Sequence, residues 1–307
     1  MGSKVAVFGS FFVDLMARTP HFPIAGETVK GNMFKMGPGG KGFNQCVAAH
    51  KAGANVTMIT KMGKDDFANV ALNIMKELNM PQDYIFTTDT TSTGIALILV
   101  NEETGQNEIV TVPGACNQIS EEDTKQVEDF IKTCDYVLLQ LEVNQDANER
   151  IMEIATKNNV KVIVNTAPYS KVTDDFLSKT YMVTPNEVEA EQLTGIEVKD
   201  LESAKTCAKV FKDKGVEVVV ITLGSRGVFI SCDGREEIIP AYKVNAIDTT
   251  GAGDAFNGGL LAALSKGNDI WEAARFANGL AALSVQKMGA TLSMPSLQEI
   301  EDFLKDK

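Results

Sequence analysis

The sequence predicts an α/β fold, namely a three-layer αβα sandwich around a mostly parallel sheet, together with a small second sheet. Apolar strand-like segments such as Tyr136 to Leu141 and Val160 to Asn165 alternate with helix-like segments such as Ala147 to Asn158. Strands that are apolar along their whole length are typical of a parallel sheet covered by helices on both faces. Thr93 to Val100 and Glu108 to Val112 flank a polar turn with a glycine and predict a β-hairpin.

The first third of the chain supplies two strands of the main sheet and part of the small one. We predict strands at Lys4 to Gly9 and Val56 to Lys61, and an amphipathic helix at Ala68 to Leu78. Because two strands alone are not stable, we expect the extended segment Thr28 to Met36 to pair with the hairpin.

These segments predict a lid on a single domain. The domain covers residues 1–307, and about 15–36 and 93–113 form the lid.

After residue 180 the strand and helix alternation continues, and the chain then ends in helices. The further strands are Tyr181 to Thr184 and Val216 to Leu223, and the further helices are one from Glu187, Leu201 to Lys214, Gly253 to Leu264, Ile270 to Lys287 and Ser296 to Leu304.

Charge and cysteine content exclude several classes of protein. The 307 residues carry 29 basic and 41 acidic side chains, a net charge of −12, with no basic cluster, so we expect no nucleic-acid or membrane partner. Five scattered cysteines without a Cys-x-x-Cys pair predict reduced thiols and a cytoplasmic location. The two histidines lie far from other ligand types, which argues against a metal cluster, and no apolar segment is long enough to span a membrane.

The segment Val244 to Leu260 contains the strongest candidate site. Gly251, Ala252 and Gly253 lead into an apolar helix, and Asp254 falls in its first turn. Small residues let a ligand approach the backbone, and the free N–H groups of a first helical turn attract phosphate. A carboxylate beside a bound phosphate can take a proton from an attacking hydroxyl. A helix cap after a tight turn has the same pattern, so both interpretations stay open on this segment alone.

Polar residues also follow the predicted strands. In an open parallel sheet, ligands bind beyond the carboxyl ends of the strands. The residues found there are Asp14, Gln140, Glu142, Asn165, Asn186, Glu189, Thr222 and Gly224.

A glycine-rich loop, Gly37 to Gln45, precedes the first long helix. It is not typical of a dinucleotide site, because no acidic residue follows about 20 positions on, nor of a P-loop, because Phe43 follows Lys41-Gly42. We expect its backbone, Lys41 and Asn44 to close around a small polyhydroxyl ligand.

Six separated motifs make nearly the whole chain resemble the ribokinase family of carbohydrate kinases. They are Gly9-Ser-Phe-Phe-Val-Asp14, Gly39-Gly-Lys-Gly-Phe-Asn44, Leu139-Gln-Leu-Glu142, Thr184-Pro-Asn-Glu-Val-Glu189, Ile221-Thr-Leu-Gly-Ser-Arg-Gly227 and Asp248-Thr-Thr-Gly-Ala-Gly-Asp254. The resemblance implies a ribokinase-like sandwich with a β-sheet lid and transfer of the ATP γ-phosphate to a primary sugar hydroxyl. It also implies dependence on Mg²⁺ and activation by a monovalent cation such as K⁺.

The resemblance implies a role for each matching residue. Asp254 matches the base that accepts the hydroxyl proton, and Gly251, Ala252 and Gly253 match the anion hole around the transferring phosphoryl group. The residues matching sugar contacts are Asp14, Gly40, Lys41, Asn44 and Glu142. The residues matching the nucleotide site are Asn186, Thr222, Gly224, Ser225, Gly227, Gly253 and Asn278. Glu189 matches a residue that acts on Mg²⁺ through water. The residues matching the monovalent-cation loop are Asp248, Thr250, Ser284, Lys287, Gly289 and Ser293.

Two departures from the family pattern bear on the sugar. Phe12 stands where ribokinases usually have an asparagine that helps to hold ribose, and Phe43 stands where they have a small residue. If the Phe12 ring lies against C2 of the sugar, it favours 2-deoxy-D-ribose; alternatively, Phe12 turns toward the lid and packs with Phe43. The motif set is also similar to the deoxyribokinase branch of the family.

Three functions follow from the resemblance. The leading hypothesis is an ATP-dependent kinase acting on O5 of 2-deoxy-D-ribose or D-ribose. The alternatives are a kinase of a nucleoside or fructose derivative, and a sugar-binding regulator without turnover, against which the intact Asp254 argues. The resemblance also leads us to expect a homodimer formed through the lid.

Overall fold

Strands and helices alternate along most of the chain. The computed structural model describes residues 2–307. Its strands are β1 (Lys4–Phe8), β2 (Phe12–Thr19), β3 (Met33–Gly39), β4 (Asn55–Gly63), β5 (Ile85–Thr88), β6 (Gly94–Asn101), β7 (Asn107–Val112), β8 (Tyr136–Gln140), β9 (Lys161–Asn165), β10 (Met182–Val183), β11 (Val218–Thr222), β12 (Val228–Cys232) and β13 (Arg235–Ile239). Its helices are α1 (Lys41–Lys51), α2 (Ala68–Glu77), α3 (Glu121–Gln126), α4 (Glu128–Ile131), α5 (Gln145–Lys157), α6 (Asp174–Ser178), α7 (Glu187–Thr194), α8 (Leu201–Asp213), α9 (Ala252–Ser265), α10 (Ile270–Ser284) and α11 (Leu297–Lys305).

A large sheet carries the fold. Within the described residues it has nine strands, in the order β13-β12-β11-β10-β9-β8-β1-β4-β5. Seven neighbouring strands of this sheet are parallel: β11, β10, β9, β8, β1, β4 and β5. Strands β12 and β13 extend the sheet in antiparallel pairing. The carboxyl ends of the parallel strands therefore meet at one edge, which is where a ligand site is expected.

Each face of the large sheet packs against its own helices. In β1, Val5 and Val7 belong to the apolar cluster that includes residues of α1, α9 and α10, whereas Ala6 and Phe8 belong to the cluster on the other face with α5. A third cluster continues the second face between α8 and β11. Since side chains alternate across a strand, this division places helices on both faces, and the predicted three-layer αβα sandwich is confirmed.

The small sheet is separate from the large one. In the part of the chain that the structure describes, it has the order β3-β2-β6-β7, and its β6 and β7 are the hairpin that the sequence predicts. Strand β2 is central, antiparallel to β3 and parallel to β6.

Two expectations about the small sheet need correction. The extended segment Thr28 to Met36 is not a strand throughout, because the strand starts at Met33 and runs to Gly39. No strand is predicted at Phe12–Thr19, because its side chains do not alternate between apolar and polar. Asp14 consequently lies within β2 and not on a loop after β1.

A second hairpin also goes unpredicted. Strands β12 and β13 are joined by Asp233 and Gly234, which have φ angles of 49° and 76°. Two positive φ angles in succession form the turn that matches the twist of a tight hairpin, and Asp-Gly is a common sequence for it.

No helix within residues 2–307 is both long and apolar enough to cross a membrane.

Candidate active site

Asp254 lies at the centre of the site, in the first turn of α9. Its side chain is 7% exposed and accepts two hydrogen bonds from amide groups. Asn44 Nδ2 donates to Oδ2 at 2.9 Å, and Gln45 Nε2 donates to Oδ1 at 2.9 Å. Burial raises the pKa of this carboxyl, and the Lys41 ammonium and the two amides act in the opposite direction. Asp254 is therefore a buried carboxyl group held in a fixed direction.

The turn before α9 depends on Gly251. This residue caps the helix with φ 75°, and a Cβ atom there would lie 2.7 Å from Cβ of Ala290. Glycine is the residue that takes this backbone conformation without strain. The Ala255 N–H bonds Gly251 O at 2.8 Å and the Ala252 N–H bonds Thr249 O at 3.2 Å, whereas the N–H groups of Gly253 and Asp254 belong to the turn where helices have no intrahelical acceptor. Gly253 is exposed in that turn, so a ligand can reach the backbone.

What we call the polar cleft is the group of partly buried residues Asp14, Lys41 and Glu142 beside Asp254. Lys41 N donates to Oε2 of Glu142 at 2.8 Å, and the Ser10 hydroxyl donates to the same oxygen. Asp14 reaches the cleft from β2, where its carboxylate lies so close over Gly39 that a Cβ atom at that glycine would overlap it. Three separate segments therefore bring carboxylate, ammonium and amide groups together.

Charge crowding in this cleft changes the acidity of its groups. Burial, followed by the charges of Glu142 and Asp254, raises the pKa of Asp14 to about 6. Burial also raises the pKa of Glu142. Burial acts to lower the pKa of Lys41, but the carboxylates of Asp254, Glu142 and Glu189 outweigh it and raise that pKa. Lys41 is thus the cation that offsets several carboxylates, and such a cleft suits a neutral ligand with several hydroxyls.

A cavity of about 420 Å³ is lined in part by Ala252 and Gly253 of the same helical turn. Its walls are mostly apolar and include Tyr242, Val244, Phe256 and Val285. Six of the seven residues predicted to bind nucleotide line it: Thr222, Gly224, Ser225, Gly227, Gly253 and Asn278.

The seventh, Asn186, adjoins this cavity and caps α7. It pairs with Thr222 in an isolated parallel bridge, and its side chain accepts from the Glu189 N–H at 2.8 Å. Glu189 in return accepts from the backbone N–H of Asn186 at 3.0 Å and from its Nδ2 at 2.9 Å. Both oxygens of Glu189 are therefore engaged by Asn186, and burial raises the pKa of this carboxyl.

Of the predicted monovalent-cation residues, Ser284 is the last residue of α10, and the others lie on two loops that Asp248 joins. Its Oδ1 accepts from Thr250 N at 2.9 Å, and its Oδ2 accepts from Gly289 N at 2.8 Å. Ser284 and Ser293 are buried and donate their hydroxyls to backbone carbonyls. The Lys287 side chain forms an ion pair with Glu299 at 2.9 Å, so only its backbone is available to the loop.

The two departures from the family pattern lie in different apolar clusters. Phe43 is fully buried and packs edge-on against Phe11, with ring centroids 5.0 Å apart. The alternative in which Phe12 packs with Phe43 is therefore wrong. Phe12 is 4% exposed, its ring lies over Gly94, and it leaves β2 on the same face as Asp14.

Three polar residues of the site are not predicted from the sequence: Gln45, Asn257 and Thr291. Gln45 and Asn44 together hold Asp254, and the Thr291 hydroxyl donates to Oδ1 of Asn44. Asn257 donates to Gly253 O at 2.9 Å, which ties the first turn of α9 to the next. The helical period offers a signal for Asn257, which follows Gly253 by one turn, but nothing local points to Thr291.

This fold and this arrangement define a small-molecule kinase: a buried carboxylate at a helix N-terminus, between a polar cleft and a largely apolar cavity. The chain belongs to the pfkB family of carbohydrate kinases, whose model matches residues 3–297. The protein is therefore a sugar kinase.

Relatives named ribokinase or deoxyribokinase match over nearly the full length. The chain is 42% identical to a ribokinase of Haemophilus influenzae, over 99% of both chains. It is 35% identical to a deoxyribokinase of Salmonella typhi, over 98% of both chains. Among solved structures, it matches the ribokinase of Thermotoga maritima with a TM-score of 0.89 and 31% identity, over 99% of this chain and 100% of that one. It matches the Arabidopsis thaliana ribokinase complexed with ribose and ATP with a TM-score of 0.93 and 27% identity, over 99% of both chains.

Proposed function

We propose that this protein is an ATP-dependent pentose kinase that phosphorylates O5 of 2-deoxy-D-ribose, D-ribose or both. The observation that carries the proposal is the position of Asp254. This carboxylate borders the polar cleft, while Ala252 and Gly253 of the same helical turn line the apolar cavity. A sugar in the cleft and a nucleotide in the cavity would therefore meet at the first turn of α9.

The proposed reaction has a single group transfer. Asp254 accepts the proton of the 5-hydroxyl while O5 forms a bond to the γ-phosphorus. The bond between that phosphorus and the oxygen bridging to the β-phosphate breaks, its electron pair stays with ADP, and the proton passes from Asp254 to solvent. The N–H groups in the first turn of α9 would stabilise the negative charge on the transferring group.

The sugar is proposed to lie against Asp14, Gly40, Lys41, Asn44 and Glu142. Glu142 Oε2 is occupied by Ser10 and by Lys41 N, so Oε1 is the oxygen that would accept a sugar hydroxyl. Asp14 would accept from a ring hydroxyl of the sugar, since an ionised carboxylate accepts hydrogen bonds at its oxygens. The relatives named ribokinase and deoxyribokinase support a pentose here.

The nucleotide is proposed to be ATP, with Mg²⁺ near Glu189. Among the described residues, no cluster of three or more His, Cys, Asp or Glu could hold a metal ion directly. Because Asn186 engages both Glu189 oxygens, Glu189 would act through water, which fits the hydrated coordination that Mg²⁺ prefers. Bound there, the ion would neutralise charge on the ATP phosphates.

Potassium is proposed to bind between the loops that Asp248 joins. The donors there are oxygens, which suit a hard cation, and most would be backbone carbonyls. Such an ion would order the loop before Gly251 and with it the first turn of α9.

The choice between the two pentoses is proposed to rest on Phe12. Its ring occupies the position next to Asp14 on the same face of β2, and an apolar surface there leaves a 2-hydroxyl without a hydrogen bond. An unpaired hydroxyl loses about 1–3 kcal/mol, and an apolar pocket rejects an extra hydroxyl by about 100-fold at most. We therefore propose a preference for 2-deoxy-D-ribose with residual turnover of D-ribose.

A homodimer through the small sheet and a cytoplasmic location complete the proposal. The edge strands β3 and β7 expose several large apolar side chains, and an uncovered sheet edge is prone to pairing with another chain. The five cysteines are free thiols, which fits a reducing compartment.

The test is a screen for ADP release over pentoses, hexoses, nucleosides and fructose derivatives, with the phosphorylated position assigned by NMR. We expect a pentose to have the highest kcat/KM and the product to carry phosphate on O5. A nucleoside or fructose derivative as the best substrate would contradict the proposal, and so would sugar binding without turnover. Comparing the two pentoses in wild type and Phe12→Asn tests the sugar choice: the asparagine should move the ratio toward D-ribose. A wild type that already prefers D-ribose, with a ratio indifferent to the substitution, would refute the role of Phe12.

A further inference from the structure

A chain of buried amides runs from the large sheet to Asp254. Gln140, the last residue of β8, donates from Nε2 to Oε1 of Gln45 at 2.7 Å. Gln45 donates in turn from Nε2 to Asp254 Oδ1 at 2.9 Å and to Asn165 Oδ1 at 3.0 Å. Gln45 and Gln140 are fully buried and Asn165 is 6% exposed, so each missing bond would leave an unpaired polar group.

The hydrogen bonds fix the direction of each amide in this chain. Because Gln140 donates to Oε1 of Gln45, the NH₂ group of Gln45 must point to Asp254. Asn165 donates its Nδ2 to Thr184 O at 2.9 Å, which leaves its Oδ1 facing the same NH₂ group. A reversed Gln45 would set its carbonyl oxygen against two other acceptors.

In this arrangement the side-chain oxygen of Gln140 accepts no hydrogen bond from the part of the chain that the structure describes. Its Oε1 is buried and has no partner among the described residues. A buried acceptor left unpaired is destabilising, so the packing of the sheet edge alone does not account for a glutamine at this position. The contact to Gln45 does account for it.

Gln45 holds Asp254 from a side different from that of Asn44. Asn44 bonds Oδ2 and belongs to the proposed sugar-binding set, whereas Gln45 bonds Oδ1 and is fully buried between α1, β8, β9 and α9. Gln45 therefore contacts the carboxylate without facing the cleft.

We propose that Gln45 is a positioning residue for Asp254, and that Gln140 acts on Asp254 through Gln45. Together they hold the carboxylate in the direction in which it receives the proton of the sugar hydroxyl. This inference rests on the proposed function of Asp254 as the base.

The same contact affects the charge of Asp254. The groups that face this carboxylate are the Lys41 ammonium on α1 and the carboxylates of Asp14 on β2, Glu142 after β8 and Glu189 on α7. The amide of Gln45 lowers the pKa of Asp254 against the effect of burial. Since the base must be ionised, loss of that amide should move the acidic limb of the pH profile to higher pH.

The experiment compares Gln45→Met, which keeps length and loses both hydrogen-bonding groups, with wild type. We expect kcat to fall about 10- to 100-fold, the effect of a misplaced catalytic group, while the sugar KM changes less than about threefold. The acidic limb of kcat/KM should rise by about half to one pH unit, the equivalent of one hydrogen bond. Gln45→Met with kcat within about threefold of wild type and an unmoved acidic limb would overturn the inference.

A control and a double variant separate positioning from general destabilisation. Thr180→Val removes a buried hydrogen bond to Phe176 O, 2.9 Å long, just before β10 at the amino ends of the parallel strands. This control should leave kcat and the pH profile unchanged. Gln140→Met should lower kcat in the wild-type background and have no further effect in Gln45→Met, because it acts through that residue. An equal loss in both backgrounds would refute the chain.

A readout without turnover keeps this test independent of the proposed sugar. The carboxyl carbon of Asp254 can be titrated by NMR in protein labelled at aspartate, with its signal assigned by its loss in Asp254→Asn. The Gln45→Met variant should titrate at higher pH than wild type. If this shift occurs and no pentose is phosphorylated, the proposed function fails and the placement of Gln45 stands. If the titration is unchanged, the placement of Gln45 fails.

Discussion

At the scale of single residues, some groups that we propose to bind the sugar also destabilise the folded chain. Asp14 has its pKa raised to about 6 from an ordinary value of 3.8. The folded protein therefore binds the proton of Asp14 more tightly than the unfolded chain does. Ionised Asp14 destabilises the fold fully above about pH 6, and this effect disappears as the pH falls toward 3.8. A shift of that size corresponds to about 3 kcal/mol at most.

We accordingly predict that Asp14→Asn stabilises the free enzyme and weakens sugar binding. The melting temperature should rise at pH 8, and the gain should shrink at pH 4.5, where Asp14 of the wild type is largely protonated. The sugar KM should rise because an amide accepts at one oxygen only. Asp89→Asn, at an exposed carboxylate, is the control and should change neither quantity. A gain in melting temperature that is the same at both pH values would show that the ionisation of Asp14 is not its cause.

Single residues also mark the limit of what the sequence predicts. Asp254 is predicted because its signal is local: three small residues before it and an apolar helix after it. Gln45 is not predicted, because its contact with Asp254 joins positions 209 apart. Neither helical period nor composition can supply such a contact, since it depends on how α1 and α9 pack together.

At the scale of elements, two glycines at the start of α9 are needed for different reasons: Gly251 caps the helix and Gly253 lies in its first turn. Gly251 needs its positive φ, and a side chain there would overlap Ala290. A Cβ atom at Gly253 would meet no other atom within 4 Å, yet this glycine lines the cavity proposed for nucleotide. The first glycine serves the backbone and the second leaves room for a ligand.

Alanine at each position should separate these two reasons. Gly251→Ala should lower the melting temperature, because a left-handed backbone with a side chain loses about 1–2 kcal/mol before the overlap with Ala290 is added. Gly253→Ala should keep the melting temperature within about a degree of wild type, since a surface substitution changes stability little, and should raise the ATP KM. Calorimetry and steady-state kinetics on both variants test this. A stable Gly251→Ala enzyme would remove the structural role assigned to that turn.

The loops joined by Asp248 lead to a prediction about ions. Because this carboxylate bonds Thr250 N and Gly289 N, a cation bound beside it would stiffen the approach to Gly251. We expect potassium to raise kcat more than sodium does. The rates should be measured at equal ionic strength in potassium, sodium and a large organic cation. Equal rates in all three would exclude a specific cation at these loops.

At the scale of the whole molecule, the sequence predicts the layers better than the edges. The strands from β8 to β11 are buried on both faces, so their apolar runs are clear. Strand β2 lies in a small sheet where most of its side chains are only half-buried, and its sequence accordingly shows no regular pattern. The antiparallel β12 and β13 have a usable signal in Asp233-Gly234.

The small sheet leads to the prediction about assembly. Its exposed large apolar residues are Met33, Phe34, Met36, Leu97, Ile109, Val110 and Val112. Apolar surface of this kind is typical of an interface, so we expect a dimer in solution by light scattering. The double variant Phe34→Glu with Ile109→Glu should be monomeric, whereas Val188→Glu, at a residue 61% exposed on α7, should remain dimeric. A monomeric wild type at micromolar concentration would contradict this assembly.

The proposed mechanism depends above all on Asp254 as the base. The most direct measurement is kcat of Asp254→Asn beside the affinities of that variant for ATP and for the pentose. We expect both affinities to stay within a few-fold of wild type while kcat falls by about 10² to 10⁴, the usual contribution of a general base. A variant that keeps more than about a tenth of wild-type kcat would fall outside that range and assign the base to another residue.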